Sequence, residues 1–250
     1  MQHLLRKQII TGALLLCISF ASLAQRGNVN QPFYDEDLFY LGFNVGFNNN
    51  YYNFNRNVEF ASPAAGTVSS INPKNNPSLT MGLAGTLRLS THTLLRLNPT
   101  VVIAGSKNLF TFTRIEYPNG NPTMNAATAL INIPLALKIV SDRYNAFHYT
   151  DIMRHYIFVG GKIDYDLVGP NGSIQNSTSG AEPIYKNIFN SLDYGYEMGL
   201  GLSFYLPYAT ISPEVKFSYG LRNLNKGDAL LSSIRDITGN FVYFTIHIEN

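Results

Sequence analysis

Leu38-Phe39-Tyr40-Leu41-Gly42-Phe43-Asn44-Val45-Gly46-Phe47 alternates without a slip. Phe39, Leu41, Phe43, Val45 and Phe47 fall on one face, while Tyr40, Gly42, Asn44 and Gly46 fall on the other. A period of two belongs to a pleated strand, whose successive side chains point to opposite faces. With the large apolar set on one side, the segment suits a wall between lipid and water.

Seven further stretches repeat the pattern, so the sequence predicts eight strands over 38–47, 79–89, 94–104, 127–139, 156–167, 192–206, 210–221 and 241–249. The fourth is the most regular, with Ala129, Ile131, Ile133, Leu135, Leu137 and Ile139 outward and Thr128, Asn132, Ala136 and Lys138 inward. In the sixth, Tyr194, Tyr196, Met198, Leu200, Leu202 and Phe204 oppose Asp193, Gly195, Glu197, Gly199, Gly201 and Ser203. Pro99 and Pro134 interrupt the third and fourth, because proline cannot donate a ladder bond. Phe158 is an aromatic on the inward face of the fifth.

The connections alternate in length. Those at 48–77, 105–125, 168–191 and 222–240 are long and rich in Asn, Ser, Gly and Pro, whereas 90–93 and Pro207-Tyr208 are brief and 141–154 is intermediate. Long external loops and short periplasmic turns are the outer-membrane pattern, which places both termini in the periplasm. The expected fold is an all-β, eight-stranded up-and-down antiparallel transmembrane barrel over residues 38–250. A barrel of that size is filled by side chains and has no aqueous channel. A soluble lipocalin-like barrel also alternates, but would turn the polar set to solvent and keep an apolar ligand cavity inside. The polar face here is rich in glycine and poor in charge, which disfavours that alternative.

The N-terminus accounts for delivery to such a membrane. His3, Arg6 and Lys7 precede an apolar run over 9–20, and Ser22-Leu23-Ala24 forms a small-residue cleavage pattern. Residues 1–24 thus read as a secretory signal peptide, and 25–37 as a periplasmic segment before the barrel. The run is too short to cross a bilayer as a helix. Cleavage removes Cys17, the only cysteine, and with it any disulfide or thiol chemistry. Losing Arg6 and Lys7 from the 18 basic residues leaves 16, equal to the 16 acidic ones. A neutral chain offers no electrostatic case for nucleic acid.

Inward ionisable residues are the candidate site. Arg88, Arg96, Lys138, Lys162 and Lys216 face Asp164, Asp166, Asp193, Glu197, Glu214 and Glu249, a near balance that a sealed interior requires because an unpaired buried charge is costly. Lys162 and Glu197 are the first pair expected to meet. Arg88 and Arg96, equidistant from His92, are expected to face each other near the periplasmic end with Glu214 and Glu249 as acidic partners. That arrangement reads as an internal salt-bridge network, or else as a basic mouth that grips an acidic segment. Asp166 and Asp193 are expected to approach at the outer rim, as a structural hydrogen-bonded pair or else as two carboxylates sharing a proton.

A rim enzyme would want His beside Asp or Ser at the outer end. His92 and His148 fall in turns, while His155 and His247 sit at the periplasmic ends of strands, so no catalysis is expected. Metal spacing and phosphate-binding loops are absent, and no cofactor or small-molecule substrate is expected. The glycosylation patterns at Asn171 and Asn176 carry no weight in a bacterial outer-membrane protein.

Particular blocks carry a family resemblance. Tyr34-Asp35, Asn132-Ile133-Pro134-Leu135-Ala136-Leu137-Lys138, Ser141-Asp142-Arg143, Gly160-Gly161-Lys162, Tyr194-Gly195-Tyr196-Glu197-Met198-Gly199-Leu200-Gly201 and Ser212-Pro213-Glu214-Val215-Lys216-Phe217-Ser218 are similar to the PorT family. The last two blocks are the more specific. The resemblance implies an outer-membrane barrel of Bacteroidota linked to type IX secretion and, in gliding species, to motility. Outer-membrane lipid and other secretion components are the partners it implies. The alternative is a generic small barrel for envelope stability, adhesion or surface shielding. The chain departs from the family in a longer, more polar connection over 145–155 and in ending Ile248-Glu249-Asn250 rather than on an aromatic.

Overall fold

A computed structural model describes residues 31, 34–58, 68–73, 76–114, 123–144, 152–167, 173–175, 184–185, 189–227 and 233–250. The expected signal peptide with Cys17, together with His148, Asn171 and Asn176, lies outside the described residues.

Among the described residues twelve strands follow in order: β1 (Phe39–Arg56), β2 (Val68–Pro73), β3 (Asn76–Arg88), β4 (Thr93–Leu97), β5 (Thr100–Arg114), β6 (Thr123–Val140), β7 (Met153–Asp166), β8 (Ser173–Gln175), β9 (Ile184–Tyr185), β10 (Leu192–Tyr205), β11 (Thr210–Gly220) and β12 (Ile234–Glu249). β2, β8 and β9 are short additions at the long-loop end. The remainder closes into a ring of eight staves, β1, β3, β4 with β5, β6, β7, β10, β11 and β12, each antiparallel to its chain neighbours. Closure comes from β1 against β12, from Gly42 opposite Glu249 to Asn55 opposite Asp236. No edge is left open in the ring, as a membrane interior demands.

The prolines leave their mark on the ladder. The third expected strand is split at Asn98-Pro99 into β4 and β5, yet the register against β6 resumes unshifted, with Leu97 opposite Leu135 and Thr100 opposite Asn132. The gap sets Pro99 near Pro134, where neither nitrogen has a hydrogen to give, and Asn98 N donates to the Pro134 carbonyl instead, at 3.3 Å. Strands also run further than the alternation predicts. Residues 48–56, 105–114, 123–125 and 234–240, expected in loops, continue β1, β5, β6 and β12. On the outward positions of β1 and β12, Asn49, Asn53, Asn55, Asp236, Thr238 and Asn240 break the apolar alternation, so a hydrophobic pattern stops short of these strand ends, which need no continuous apolar face outside lipid.

Orientation of the faces decides between the two barrel types. Phe39, Leu41, Phe43, Val45 and Phe47 are all about half exposed, as are Leu83, Ile133, Ile157, Val159 and Leu200, while Asn44, Asn48, Thr86 and Asn132 are buried. Apolar side chains therefore face outward and polar ones inward, the reverse of a lipocalin. From Phe39 to Tyr51, rising about 3.3 Å per residue at a tilt of about 40°, the outward band stands about 30 Å tall, enough for a bilayer's apolar core. Tyr196 stacks on Tyr219 at 5.2 Å near the long-loop end, and the same ladder row continues through Asn240 to Tyr51, forming part of an aromatic girdle.

Candidate functional site

Two layers of charge cross the lumen. In the layer nearer the short-turn end, Arg96 of β4 donates through Nη2 to Glu214 Oε2 of β11 at 2.7 Å. These staves stand four places apart in a ring of eight, so the ion pair reaches straight across. Tyr156 donates its hydroxyl to the same oxygen at 3.0 Å, and His247 Nε2 lies 3.4 Å from Glu214 Oε1. The Arg96 guanidinium rests over the Phe158 ring at 4.8 Å, and the Lys138 ammonium over Tyr156 at 3.7 Å. Arg96, Lys138, Glu197 and His247 are at most 2% exposed.

The second layer is a strut through four staves. Glu197 of β10 pairs with Lys216 of β11 at 3.0 Å, Lys216 reaches Asn132 Oδ1 of β6 at 3.3 Å, Asn132 donates to Asp164 of β7 at 2.5 Å, and Asp164 pairs with Lys162 on its own strand. Every charge in it has a partner of opposite sign, the condition under which ions tolerate burial.

Inward aromatics fit because glycines oppose them. Phe158 faces Gly199 and Tyr156 faces Gly201 across β7 and β10, and a Cβ on Gly199 would fall 2.5 Å from the Phe158 ring. Phe158 thus fills the lumen that the glycines vacate.

Three expected juxtapositions are different in the structure. Lys162 and Glu197 do not pair, because the β7–β10 register sets Glu197 opposite Gly160 and Lys162 opposite Gly195. Arg88 and Arg96 do not face each other: the turn is centred one residue earlier than His92, so Thr86 opposes Arg96 and Leu94 opposes Arg88. Asp193 stands opposite Asp164 rather than Asp166, and accepts the Arg222 amide at 3.2 Å; Asp166 is half-buried at the end of β7, opposite Leu130. Each difference is a register shift of two residues, which alternation alone cannot detect because a two-residue slip preserves the faces.

The basic mouth expected from Arg88 and Arg96 is built at the short-turn end from Arg88, Arg143 and Arg154 instead, and its filling by the chain's own N-terminal segment is what sequence reasoning missed. The segment before β1 folds into it, with Asp35 among three arginines: Arg143 Nε at 2.7 Å, Arg154 Nη1 at 3.0 Å and Arg88 Nη2 at 3.5 Å. Arg88 also donates to the carbonyls of Tyr34 and Asp37, both at 3.1 Å. Tyr34 packs on Tyr40 and Tyr205, and its hydroxyl donates to Glu249 at 3.4 Å. Burial, with the Glu249 carboxylate beside it, pushes that phenol above its usual range, so it stays a donor. Tyr34-Asp35 and Arg143 stand within blocks of the family resemblance, which was the available signal.

No catalytic arrangement emerges among the described residues. His92 meets Asp142 at 2.9 Å on the exposed turn surface, His155 lies beside Tyr144, and His247 is sealed in the lumen. No group of three or more His, Cys, Asp or Glu among them is placed to hold a metal.

A closed ring with an apolar outer band and a charge-braced polar lumen defines a small membrane-spanning barrel. The chain belongs to the outer membrane protein beta-barrel domain family, whose model matches residues 24–226. Among solved structures it is similar to the outer membrane protein OprG from Pseudomonas aeruginosa (10% identity, 85% of this chain and 95% of that one, TM-score 0.42). Neisserial surface protein A is similar at 8% identity over 85% and 97%, with a TM-score of 0.39. Ail, the attachment invasion locus protein of Yersinia pestis, shows 9% identity over 84% and 98%, with a TM-score of 0.38. No curated protein sequence matches the chain.

Proposed function

We propose that this outer-membrane barrel is a non-enzymatic accessory or assembly component of type IX protein secretion, acting in gliding motility where the cell glides. In this reading residues 1–24 direct export, both termini lie in the periplasm and other secretion components are the partners. The observation that carries it is the resemblance of the blocks at 194–201 and 212–218 to the PorT family. Those blocks are neighbouring strands, and Glu197 of one pairs with Lys216 of the other at 3.0 Å. The cross-lumen bridges argue that the barrel is no conduit for a polypeptide, so it acts through its loops, turns, mouth or lipid face.

Deleting the gene is expected to trap secreted cargo in the periplasm, read by fractionation and immunoblotting, while the purified barrel shows no conductance in planar bilayers. Asp166→Asn and Asp193→Asn variants that fold are expected to restore export in the deletion strain. Normal export in the deletion strain would reject the secretion role and leave a generic barrel for stability, adhesion or shielding. Lost export in the folded Asn variants would point to chemistry at the outer rim.

A further inference from the structure

The mouth at the short-turn end holds more positive charge than its occupant cancels. Three guanidiniums surround the single Asp35 carboxylate, and the next acids in the segment, Glu36 and Asp37, are exposed. The arginine side chains are 6 to 12% exposed. Arg88 Nη1 and Arg154 Nε are buried and donate to nothing among the described residues. Buried, charged donors without acceptors are strongly disfavoured, so the mouth has unmet capacity for a second anionic group.

The segment that fills the mouth is bound as a docked peptide would be. It is held by an aromatic anchor, Tyr34, by the Asp35 carboxylate, by carbonyls on Arg88 and Arg143, and by the Gln31 side chain on Thr210 at 2.9 Å. Arg143 also stacks over Tyr205 at 3.8 Å. Among the described residues, no backbone ladder bond joins the segment to a strand before Leu38, whose carbonyl accepts from Arg88 N. It can therefore leave without opening the ring. Asp35 is the most exposed member of the cluster at 30%, so exchange would begin there.

The geometry points to a peptide-docking site: the mouth binds an acidic segment bearing an aromatic residue, occupied in cis by Tyr34-Asp35 and taken in trans by an acidic segment of a partner protein. Its position at the end of the barrel axis, which faces the periplasm in the proposed orientation, favours a peptide over lipid headgroups. The inference is independent of the secretion role and rests on the proposed orientation only for the choice of a peptide over lipid headgroups.

The probe is a labelled peptide with the chain's own sequence from 31 to 38, Gln-Pro-Phe-Tyr-Asp-Glu-Asp-Leu, titrated against the full barrel in zwitterionic nanodiscs. An Asp35→Asn barrel, whose latch is weakened, is expected to bind it at least tenfold more tightly than the wild type. Adding Arg154→Gln or Arg143→Gln is expected to reverse the gain, and a peptide with Asn and Gln in place of its acids is expected not to bind. Arg143 lies in a connection rather than a strand, so its variant remains informative if Arg154→Gln fails to fold. Equal binding by wild-type and Asp35→Asn barrels, or binding indifferent to the arginines, would overturn the proposal. So would arginine variants that alter only association with phosphatidylglycerol-containing vesicles, which would assign the cluster to lipid.

Discussion

Glu214 gathers Arg96, Tyr156 and His247 from three other staves, and its worth lies in what its loss would expose. Removing one partner of a buried ion pair strands the other charge, at a cost of about 3–5 kcal/mol. Glu214→Ala is therefore expected to destabilise the barrel by that amount in urea-driven unfolding from lipid vesicles. Replacing both Arg96 and Glu214 by Met removes the stranded charge along with the pair, and the double variant is expected to be more stable than Glu214→Ala alone. The inward identity of these residues was legible from alternation, and their partners were not, because a long side chain crosses to an opposite stave that sequence spacing does not reveal. Of the two arginines for which the sequence offers Glu214 and Glu249 as acidic partners, Arg96 takes Glu214, while Arg88 turns to Asp35.

At the scale of the strand, β10 shows both faces of the design. Outward Leu200 is more than half exposed on the apolar band, and Leu221 lies just past the end of β11. Arg at Leu200 or Ile133 is expected to cost about 2–4 kcal/mol near the midplane, whereas Arg at Leu221 is expected to cost about 1 kcal/mol or less. Equal costs would contradict the placement of the lipid band. On the inner face, Gly199→Val drives a branched side chain into both the Val215 carbonyl and the Phe158 ring, and overpacking of this kind costs about 1–3 kcal/mol. Trimming the ring by Phe158→Leu in the same chain is expected to recover part of the loss, measured in the same titration.

For the whole molecule, closure is the property to test. The β1–β12 seam runs through fifteen residues of β1, and breaking it would expose unpaired backbone to lipid, which hydrocarbon cannot satisfy. The folded barrel is expected to migrate differently from its boiled form on a gel and to give a strand-rich circular dichroism spectrum. Val45→Pro, which removes a ladder donor in mid-seam, is expected to abolish the folded band. Migration unchanged by boiling, with a helical spectrum, would contradict the architecture.

By itself the sequence determined the eight staves, their inner and outer faces and the up-and-down order, because lipid on one side and a polar lumen on the other impose a period of two that survives in every strand. It also named the residues of the lumen, since within the lipid band charge sits on the inward positions. Only the tertiary structure decided which charges meet, because a two-residue change of register leaves the alternation intact while setting Glu197 opposite Gly160 rather than Lys162, and Glu197 pairs instead with Lys216 on the other neighbouring strand. It alone decided that Tyr34-Asp35 returns to fill the arginine mouth. That contact joins Asp35 to Arg154, 119 positions apart, through charge and aromatic packing rather than any local pattern.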